Sequence, residues 1–172
     1  MSHDLGMLIV RIIVGGAIAA HGAQKLFGWF GGHGIKGTGG FFESIGFRPG
    51  TTFAIAAGCS EFFGGALILL GFLGPVGAML VIATMVVAML TVHAGKGFFA
   101  MSGGIEVPFI YAAAALTTAF AGPGRFSIDY IAGLGKLDTA NAAWIGLALG
   151  IIGALANMAL RRRAPATSQP AA

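Results

Sequence analysis

The stretch LGMLIVRIIVGGAIAAHGAQKLF, residues 5–27, decides the fold, because it is an almost continuous apolar run that also carries three ionisable side chains. It exceeds the roughly 20 apolar residues that cross a hydrocarbon core of about 30 Å. Charges at that depth occur mostly where they pair or face other helices. At about 100° per residue, one helix face holds Arg11, Gly15, Ile18, His21, Gly22 and Lys25. The run therefore predicts a membrane-spanning helix with an inward polar stripe.

The composition extends this prediction to the whole chain of 172 residues, of which 56% are hydrophobic and 9% are charged. About a quarter of the residues in an ordinary soluble domain are charged. The formal charge of +4 could indicate nucleic-acid binding, but the Lys and Arg residues are scattered over loops and one terminus. We interpret them as membrane-orienting charges and expect a lipid bilayer, not nucleic acid, as the partner.

The apolar runs predict an all-α, polytopic membrane helical bundle. The five expected spans are about Leu5–Phe27, Thr51–Phe72, Pro75–His93, Val107–Gly122 and Ala140–Leu160. The segment 35–47 alternates aromatic and polar residues and is expected to lie at the membrane interface. The tail 164–172 is polar and is expected to be disordered.

The charges of the loops give an expected orientation of the bundle in its membrane. With five spans, one side holds Lys25, Lys36, Arg48, Lys96 and Arg161–Arg163, and the other holds Arg125 and Lys136. Because cytoplasmic loops carry the excess of Lys and Arg, the N-terminus is expected outside and the C-terminus in the cytoplasm.

Two charges lie well inside the spans, and the sequence predicts that they form an ion pair. Arg11 lies near the outer end of the first span and Glu61 lies within the antiparallel second span. Their depths differ by about 6 Å at 1.5 Å per residue, which an arginine side chain can bridge. Gly58 and Gly65 flank Glu61 at helical spacing, so another backbone can approach that face. The alternative is that the pair only fixes the packing of the two helices and takes no part in chemistry.

Four further ionisable side chains from separate spans are expected at one membrane face. They are His21, Lys25, His93 and Glu106, surrounded by Phe27, Trp29, Phe98 and Phe99. Histidine exchanges protons near neutral pH, lysine stabilises an oxyanion, and flat aromatic walls suit a quinone-like ring. This pattern predicts a catalytic and ligand-binding pocket. The alternatives are an interfacial aromatic belt and a lysine that reaches the headgroups.

Other kinds of site have weaker support in the sequence. No metal site is expected, because the His and Glu residues lack local ligand spacing. The glycine-rich segment 31–40 follows no strand, so no bound nucleotide cofactor is expected. Cys59 is interpreted as a small core residue. Arg125 and Asp129, four residues apart, are expected to form an interfacial clamp.

Several of these segments together resemble the DoxX family of small membrane proteins. They are HGAQKLFGWFGG, GFFESIGF, SEFFGGALILLG, HAGKGFF, GGIEVP and GPGRFSID, in this order within residues 5–130. The resemblance implies a four-helix membrane core at 1–130, followed by a linker and added fifth helix at 131–163. It also implies an oxidoreductase role, linked in some members to quinone reduction. Arg11, His21, Lys25, Glu61, His93, Glu106, Arg125 and Asp129 match the family's polar positions.

The resulting functional hypothesis is a membrane oxidoreductase component that handles a quinone or similar lipophilic acceptor. Electrons would come from a soluble or membrane partner subunit or from a diffusible donor, and a homo-oligomer is a further possible assembly. The alternative is a non-catalytic anchor or assembly subunit for a redox complex. A weaker third hypothesis is a carrier of protons or small lipophiles, based on the intramembrane Arg11 and Glu61.

Overall fold

The computed structural model describes residues 1–162, which are helices and connecting turns without a strand. We label the six longer helices α1 (Ser2–Phe27), α2 (Gly34–Ser44), α3 (Gly50–Leu70), α4 (Val76–Thr91), α5 (Glu106–Ala121) and α6 (Ala140–Ala159). The predicted all-α class is confirmed, and α1, α3, α4, α5 and α6 follow the five apolar runs. The predicted disordered tail, 164–172, lies outside the described residues, as does Arg163.

Three helices are long and apolar enough to cross a membrane, namely α1, α3 and α6 with 26, 21 and 20 residues. Helices α4 and α5 are also apolar but have 16 residues each. A helix of that length rises about 24 Å, which is less than a hydrocarbon core of about 30 Å. That all five cross the bilayer therefore stays a prediction, and α4 and α5 would need a thinned bilayer or the adjoining turns to do so.

Four of the long helices enclose the core. Helix α1 packs on α3, α3 on α4, α4 on α5, and α5 returns to α1. Buried side chains from each helix meet between them, represented by Ile18, Ile68, Val81 and Ala115. Helix α6 packs on α4 and more lightly on α5, from outside this group. The arrangement is a four-helix bundle with a fifth helix against one of its sides.

Glycines bring the backbones of α1 and α3 into direct contact. A Cβ on Gly15 would lie 2.5 Å from the amide nitrogen of Leu69, and one on Gly22 would lie 2.6 Å from the Cα of Phe62. On the facing helix, a Cβ on Gly65 would lie 2.6 Å from the carbonyl oxygen of Gly15. Small residues permit such close approach between membrane helices, where packing rather than water exclusion drives association. The expected approach of a backbone to this face of α3 is therefore observed.

One turn of α1 departs from α-helical geometry. The residues Arg11–Gly15 form a π-helical turn, and the helix continues as regular α-helix on both sides. A π-turn holds one more residue than an α-turn and often occurs where a side chain has a specific task. Here it lies between the buried Arg11 and the first glycine contact with α3.

The glycine contact can be tested by comparing Gly22→Ala with Gly16→Ala in the same helix. The new methyl group at position 22 meets the α3 backbone, whereas nothing lies within 4 Å of a Cβ at position 16. We expect Gly22→Ala to lower the free energy of unfolding by about 1–3 kcal/mol through overpacking. Gly16→Ala should raise it by up to about 1 kcal/mol through helix propensity. Denaturant unfolding in detergent micelles measures both, and equal effects would contradict the contact.

Candidate functional site

Lys25 and Glu61 form an ion pair inside the bundle. The Nζ of Lys25, near the end of α1, donates a hydrogen bond to Oε2 of Glu61 in the middle of α3. Only 6% of the Glu61 side chain is exposed, against 27% for Lys25. Within residues 1–162, no other salt bridge joins side chains of two different helices. The pair is thus a charged, hydrogen-bonded group at a depth where charges are rare.

The predicted ion pair between Arg11 and Glu61 is wrong. Arg11 is 2% exposed and lies at the opposite end of α3, where Nε and Nη2 each donate at 3.1 Å to the carbonyls of Ile68 and Leu69. Ile68 is about two helical turns, or roughly 10 Å, beyond Glu61. An arginine side chain anchored at the level of the α3 C-terminus does not reach that far. Lys25 occupies the place that was assigned to Arg11.

The guanidinium of Arg11 also fixes the segment after α5. It donates to the carbonyl of Pro123 at 2.5 Å and to that of Phe126 at 3.0 Å. Together with the two α3 carbonyls, four acceptors from two separate segments surround one cation. A planar guanidinium suits this task because its five N–H groups point in fixed directions. Arg11 therefore ties the C-terminal end of α3 to the chain beyond α5.

Asp129 completes the structure of this end of the bundle. Its carboxylate accepts hydrogen bonds from the amides of Leu73 at 3.0 Å and Gly74 at 2.6 Å, in the turn between α3 and α4. Asp129 is 0% exposed, whereas Arg125 is exposed and its backbone amide donates to Asp4. The predicted Arg125–Asp129 clamp is thus wrong. Burial, and next the negative charge of Asp129, raise the pKa of the nearby Asp138 carboxyl.

A cavity of about 290 Å³ lies at the other end, beside the Lys25–Glu61 pair. Helices α3 and α4 supply most of its walls, and α2 and α6 close it on further sides. Its polar lining consists of Lys25, Thr38, Ser60, Glu61, Thr84, Thr91, His93 and Asn157. Its aromatic lining consists of Phe41, Phe42, Phe47 and Phe53. An apolar chamber with a few convergent polar groups is the usual form of a small-molecule site.

Hydrogen bonds within the protein restrict what each polar lining residue offers to a ligand. Thr84 donates to carbonyls of its own helix at 2.9 and 3.2 Å, and Thr91 does so at 2.7 Å. Nδ1 of His93 lies 2.6 Å from the carbonyl oxygen of Gly103, which can only accept, so Nδ1 carries the proton. In the neutral imidazole Nε2 is then an acceptor. Among the lining residues, Lys25, Glu61 and His93 are the ionisable ones.

The structure brings together only part of the predicted catalytic set. Lys25 and His93 line the same cavity, joined there by Glu61. His21 is exposed, with Nδ1 3.0 Å from Oε1 of Gln24 and its ring 5.8 Å from that of Tyr111 on α5. Glu106 accepts a hydrogen bond at 2.7 Å from the amide of Ala100 in the loop before α5. His21 and Glu106 thus lie at this end of the bundle but outside the cavity.

The four aromatic residues predicted to bind the ligand do not line the cavity either. The ring centroids of Phe27 and Trp29 are 4.9 Å apart with the rings tilted at 40°, and those of Phe98 and Phe99 are 5.5 Å apart in an edge-to-face arrangement. Each of the four is about half or more exposed. This exposure is typical of an interfacial aromatic belt, which was the alternative interpretation.

Sequence reasoning missed several lining residues, above all Phe47, Phe53 and Asn157. Phe47 lies in the turn between α2 and α3 and is 1% exposed, and Phe53 lies in the first turn of α3. A signal for Asn157 was present, because it is the one amide within an otherwise apolar half of α6. No group of three or more potential metal ligands lies together in the described part of the chain.

The unequal exposure of the two charges predicts unequal effects of removing them. In Lys25→Met the nearly buried carboxylate of Glu61 loses its partner, and we expect a loss of about 3–5 kcal/mol in unfolding free energy. In Glu61→Gln the remaining ammonium of Lys25 can turn toward water, so the loss should be smaller. The double variant should recover most of the stability. Unfolding in detergent measures the order, and a greater loss in Glu61→Gln would contradict this geometry.

Comparison with known proteins agrees with this architecture. The DoxX family model matches residues 6–94, just over half of the chain. The chain is also similar to a protein of Bacillus subtilis (strain 168) named "Putative oxidoreductase CatD", with 28% identity over 135 residues, or 78% of this chain and 92% of that protein. No solved structure matches the chain. The matched region contains α1 to α4 and thus Arg11, Lys25, Glu61 and His93, and the chain belongs to the DoxX family of membrane proteins.

Proposed function

We propose that this DoxX-family protein is a membrane oxidoreductase component that binds a quinone, or a similar lipophilic acceptor, in the cavity beside Lys25 and Glu61. The observation that carries the proposal is that one cavity is lined by several aromatic rings, an ion pair and a histidine. The word "oxidoreductase" in the name of the Bacillus subtilis relative gives separate support for this class of activity.

The size of the cavity favours a single ring with short substituents. Small-molecule pockets usually measure about 300–1,000 Å³, and this cavity of about 290 Å³ is at the lower end of that range. Phe41, Phe42, Phe47 and Phe53 offer flat apolar surfaces against which such a ring packs. An acyl or isoprenoid tail would extend past the exposed side of Phe41 into lipid.

The charged groups can carry the proton half of quinone chemistry. Reduction of a quinone to its quinol adds two electrons and two protons to the ring oxygens. The ammonium of Lys25 would donate a hydrogen bond to a carbonyl oxygen and stabilise negative charge that develops on it. Glu61 and His93 would then exchange protons with the bound ring and with water. A redox centre of a partner protein or a diffusible reductant would provide the electrons.

Quinone binding by the purified protein in lipid nanodiscs tests this function. The probe is a short-chain para-benzoquinone, in a Cys59→Ser background because quinones alkylate thiols. We expect wild-type binding and an affinity about tenfold lower in His93→Phe, since loss of a polar partner in a pocket costs roughly 1–3 kcal/mol. The matched control is His33→Phe, because His33 is exposed in the loop before α2.

Equal affinity of wild type and His93→Phe, or no binding by wild type, would contradict the proposed site. The non-catalytic anchor role would then become the better hypothesis. A parallel His21→Gln variant decides whether His21, which the sequence places in the catalytic set, takes part despite its position outside the cavity.

We further propose that the protein lies in the bacterial plasma membrane with the Lys25 end in the cytoplasm. That end carries Lys36, Arg48, Lys96, Arg161 and Arg162 in exposed positions, and the opposite end carries Arg125 and Lys136. Cytoplasmic loops usually hold the excess of Lys and Arg.

Cysteine labelling tests this orientation with two exposed lysines on opposite ends of the bundle. In a Cys59→Ser background, Lys136→Cys should react with a membrane-impermeant maleimide that is added to intact spheroplasts. Lys36→Cys should react only after the membrane is permeabilised. The reverse pattern would invert the orientation.

A further inference from the structure

The fifth helix lines the candidate cavity, although it lies beyond the region that the family model matches. Asn157 of α6 borders the same space as Lys25, Glu61 and His93. Helices α3 and α6 both pack on α4, and the cavity occupies the gap that separates them. The α6 wall therefore faces the ion pair across the chamber.

Asn157 has hydrogen-bonding capacity beyond its contact within α6. Its Nδ2 donates at 2.9 Å to the carbonyl of Gly153, one turn earlier. A carbonyl can only accept, so this bond uses one N–H of the amide. A primary amide has a second N–H and an acceptor oxygen. In a membrane helix, where polar groups are costly to bury, such a side chain is most useful where it meets another polar group.

The end of α6 also fixes an aromatic wall of the cavity. Nε of Arg161 donates to the carbonyl of Ile45 at 2.7 Å, and the amide of Arg162 donates to that of Gly46 at 2.8 Å. The Arg161 guanidinium lies 6.0 Å from the ring centre of Phe47, within the range of a cation–π contact. The turn between α2 and α3, which carries Phe47, is thus held by the chain directly after α6.

We propose that α6 is part of the ligand site and that Asn157 hydrogen-bonds a polar group on the side of the ligand that faces away from Lys25. The inference rests on the proposed ligand-binding function of the cavity and adds a residue that determines its specificity. A chamber with polar groups on two facing walls and phenylalanines between them selects a ring with oxygen substituents on two sides. A para-quinone or its quinol has that form, whereas a lipid with one polar head does not.

The test compares two probes and two amide substitutions in the same nanodiscs, again with Cys59→Ser. The probes are a short-chain para-benzoquinone and the cyclohexenone that bears the same substituents but only one carbonyl. Asn157→Leu removes the amide from the cavity wall, and Asn157→Ala repeats the test with a smaller side chain. The matched control is Asn141→Leu, an exposed amide in the first turn of α6. Thermal unfolding verifies that each variant is folded.

We expect the wild type to prefer the benzoquinone about tenfold, which is the effect of one hydrogen bond in a pocket. Asn157→Leu and Asn157→Ala should bind it about tenfold more weakly and lose the preference, while their affinity for the one-carbonyl probe stays unchanged. Asn141→Leu should match the wild type. This pattern is a double-mutant cycle between one side chain and one ligand oxygen.

Wild-type preference in both folded Asn157 variants, together with weak binding by His93→Phe, would overturn the role of α6 and leave the proposed function intact. Absence of binding by the wild type would overturn both. A uniform loss of affinity for both probes in the Asn157 variants would assign α6 a packing role and contradict the hydrogen bond.

Discussion

The direct backbone contact between α1 and α3 determines where the charged side chains of these two helices, Arg11, Lys25 and Glu61, lie relative to one another. Its glycines are seven residues apart on each helix, Gly15 and Gly22 against Gly65 and Gly58. Lys25 is three residues after Gly22, and Glu61 is three residues after Gly58. A Cβ on Gly22 would meet the α3 backbone at Gly58 and Phe62, and a Cβ on Gly58 would lie 3.3 Å from the Cβ of Lys25. Lys25 therefore lies within about one helical turn of the level of Glu61, and its long side chain reaches the carboxylate. A larger residue at any of the glycines would separate the helices and lengthen the ion pair with them.

The same crossing assigns different tasks to the two intramembrane cations. Arg11 precedes the Gly15 contact and reaches the last carbonyls of α3, where helix C-termini attract positive charge. Its remaining donors bind the segment after α5, so its hydrogen-bonding capacity serves the architecture. Lys25 has a single carboxylate partner and borders open space. One cation holds chain segments together, and the other borders the cavity that we propose as the ligand site.

Much of the fold follows from the sequence, because apolar length and helical periodicity are local properties. The runs predicted α1, α3, α4, α5 and α6, and the glycine pattern predicted close approach to α3. The partners of Arg11 and Glu61 did not follow, because they depend on the axial register between two helices. If α3 were shifted by about two turns along α1, Glu61 would lie near Arg11 and not near Lys25. The apolar residues of the two helices do not determine this shift. The register is set by which glycines meet.

The site was harder to predict, because it depends on how the helices are rotated. His21 and Lys25 are one turn apart on α1, yet one contacts Tyr111 of α5 and the other faces α3. The aromatic residues offered the same difficulty. Those at the end of α1 and in the loops after α1 and α4 remain at the surface, whereas those in and beside the α2–α3 turn line the cavity. Their positions in the sequence placed the ionisable and aromatic residues at the correct end of the bundle. Only the packing of the helices showed which of them line the cavity and which lie outside it.

The π-helical turn at Arg11–Gly15 has a consequence for how relatives of different length are to be aligned. Because such a turn contains one surplus residue, deletion of a single position there restores an ordinary α-helix. Because the wide turn absorbs that residue within one full rotation of the helix, the residues on both sides of the turn would keep their facing after the deletion. A one-residue gap at this point would therefore signal loss of the wide turn in a relative whose helix surfaces on both sides correspond to those of this chain.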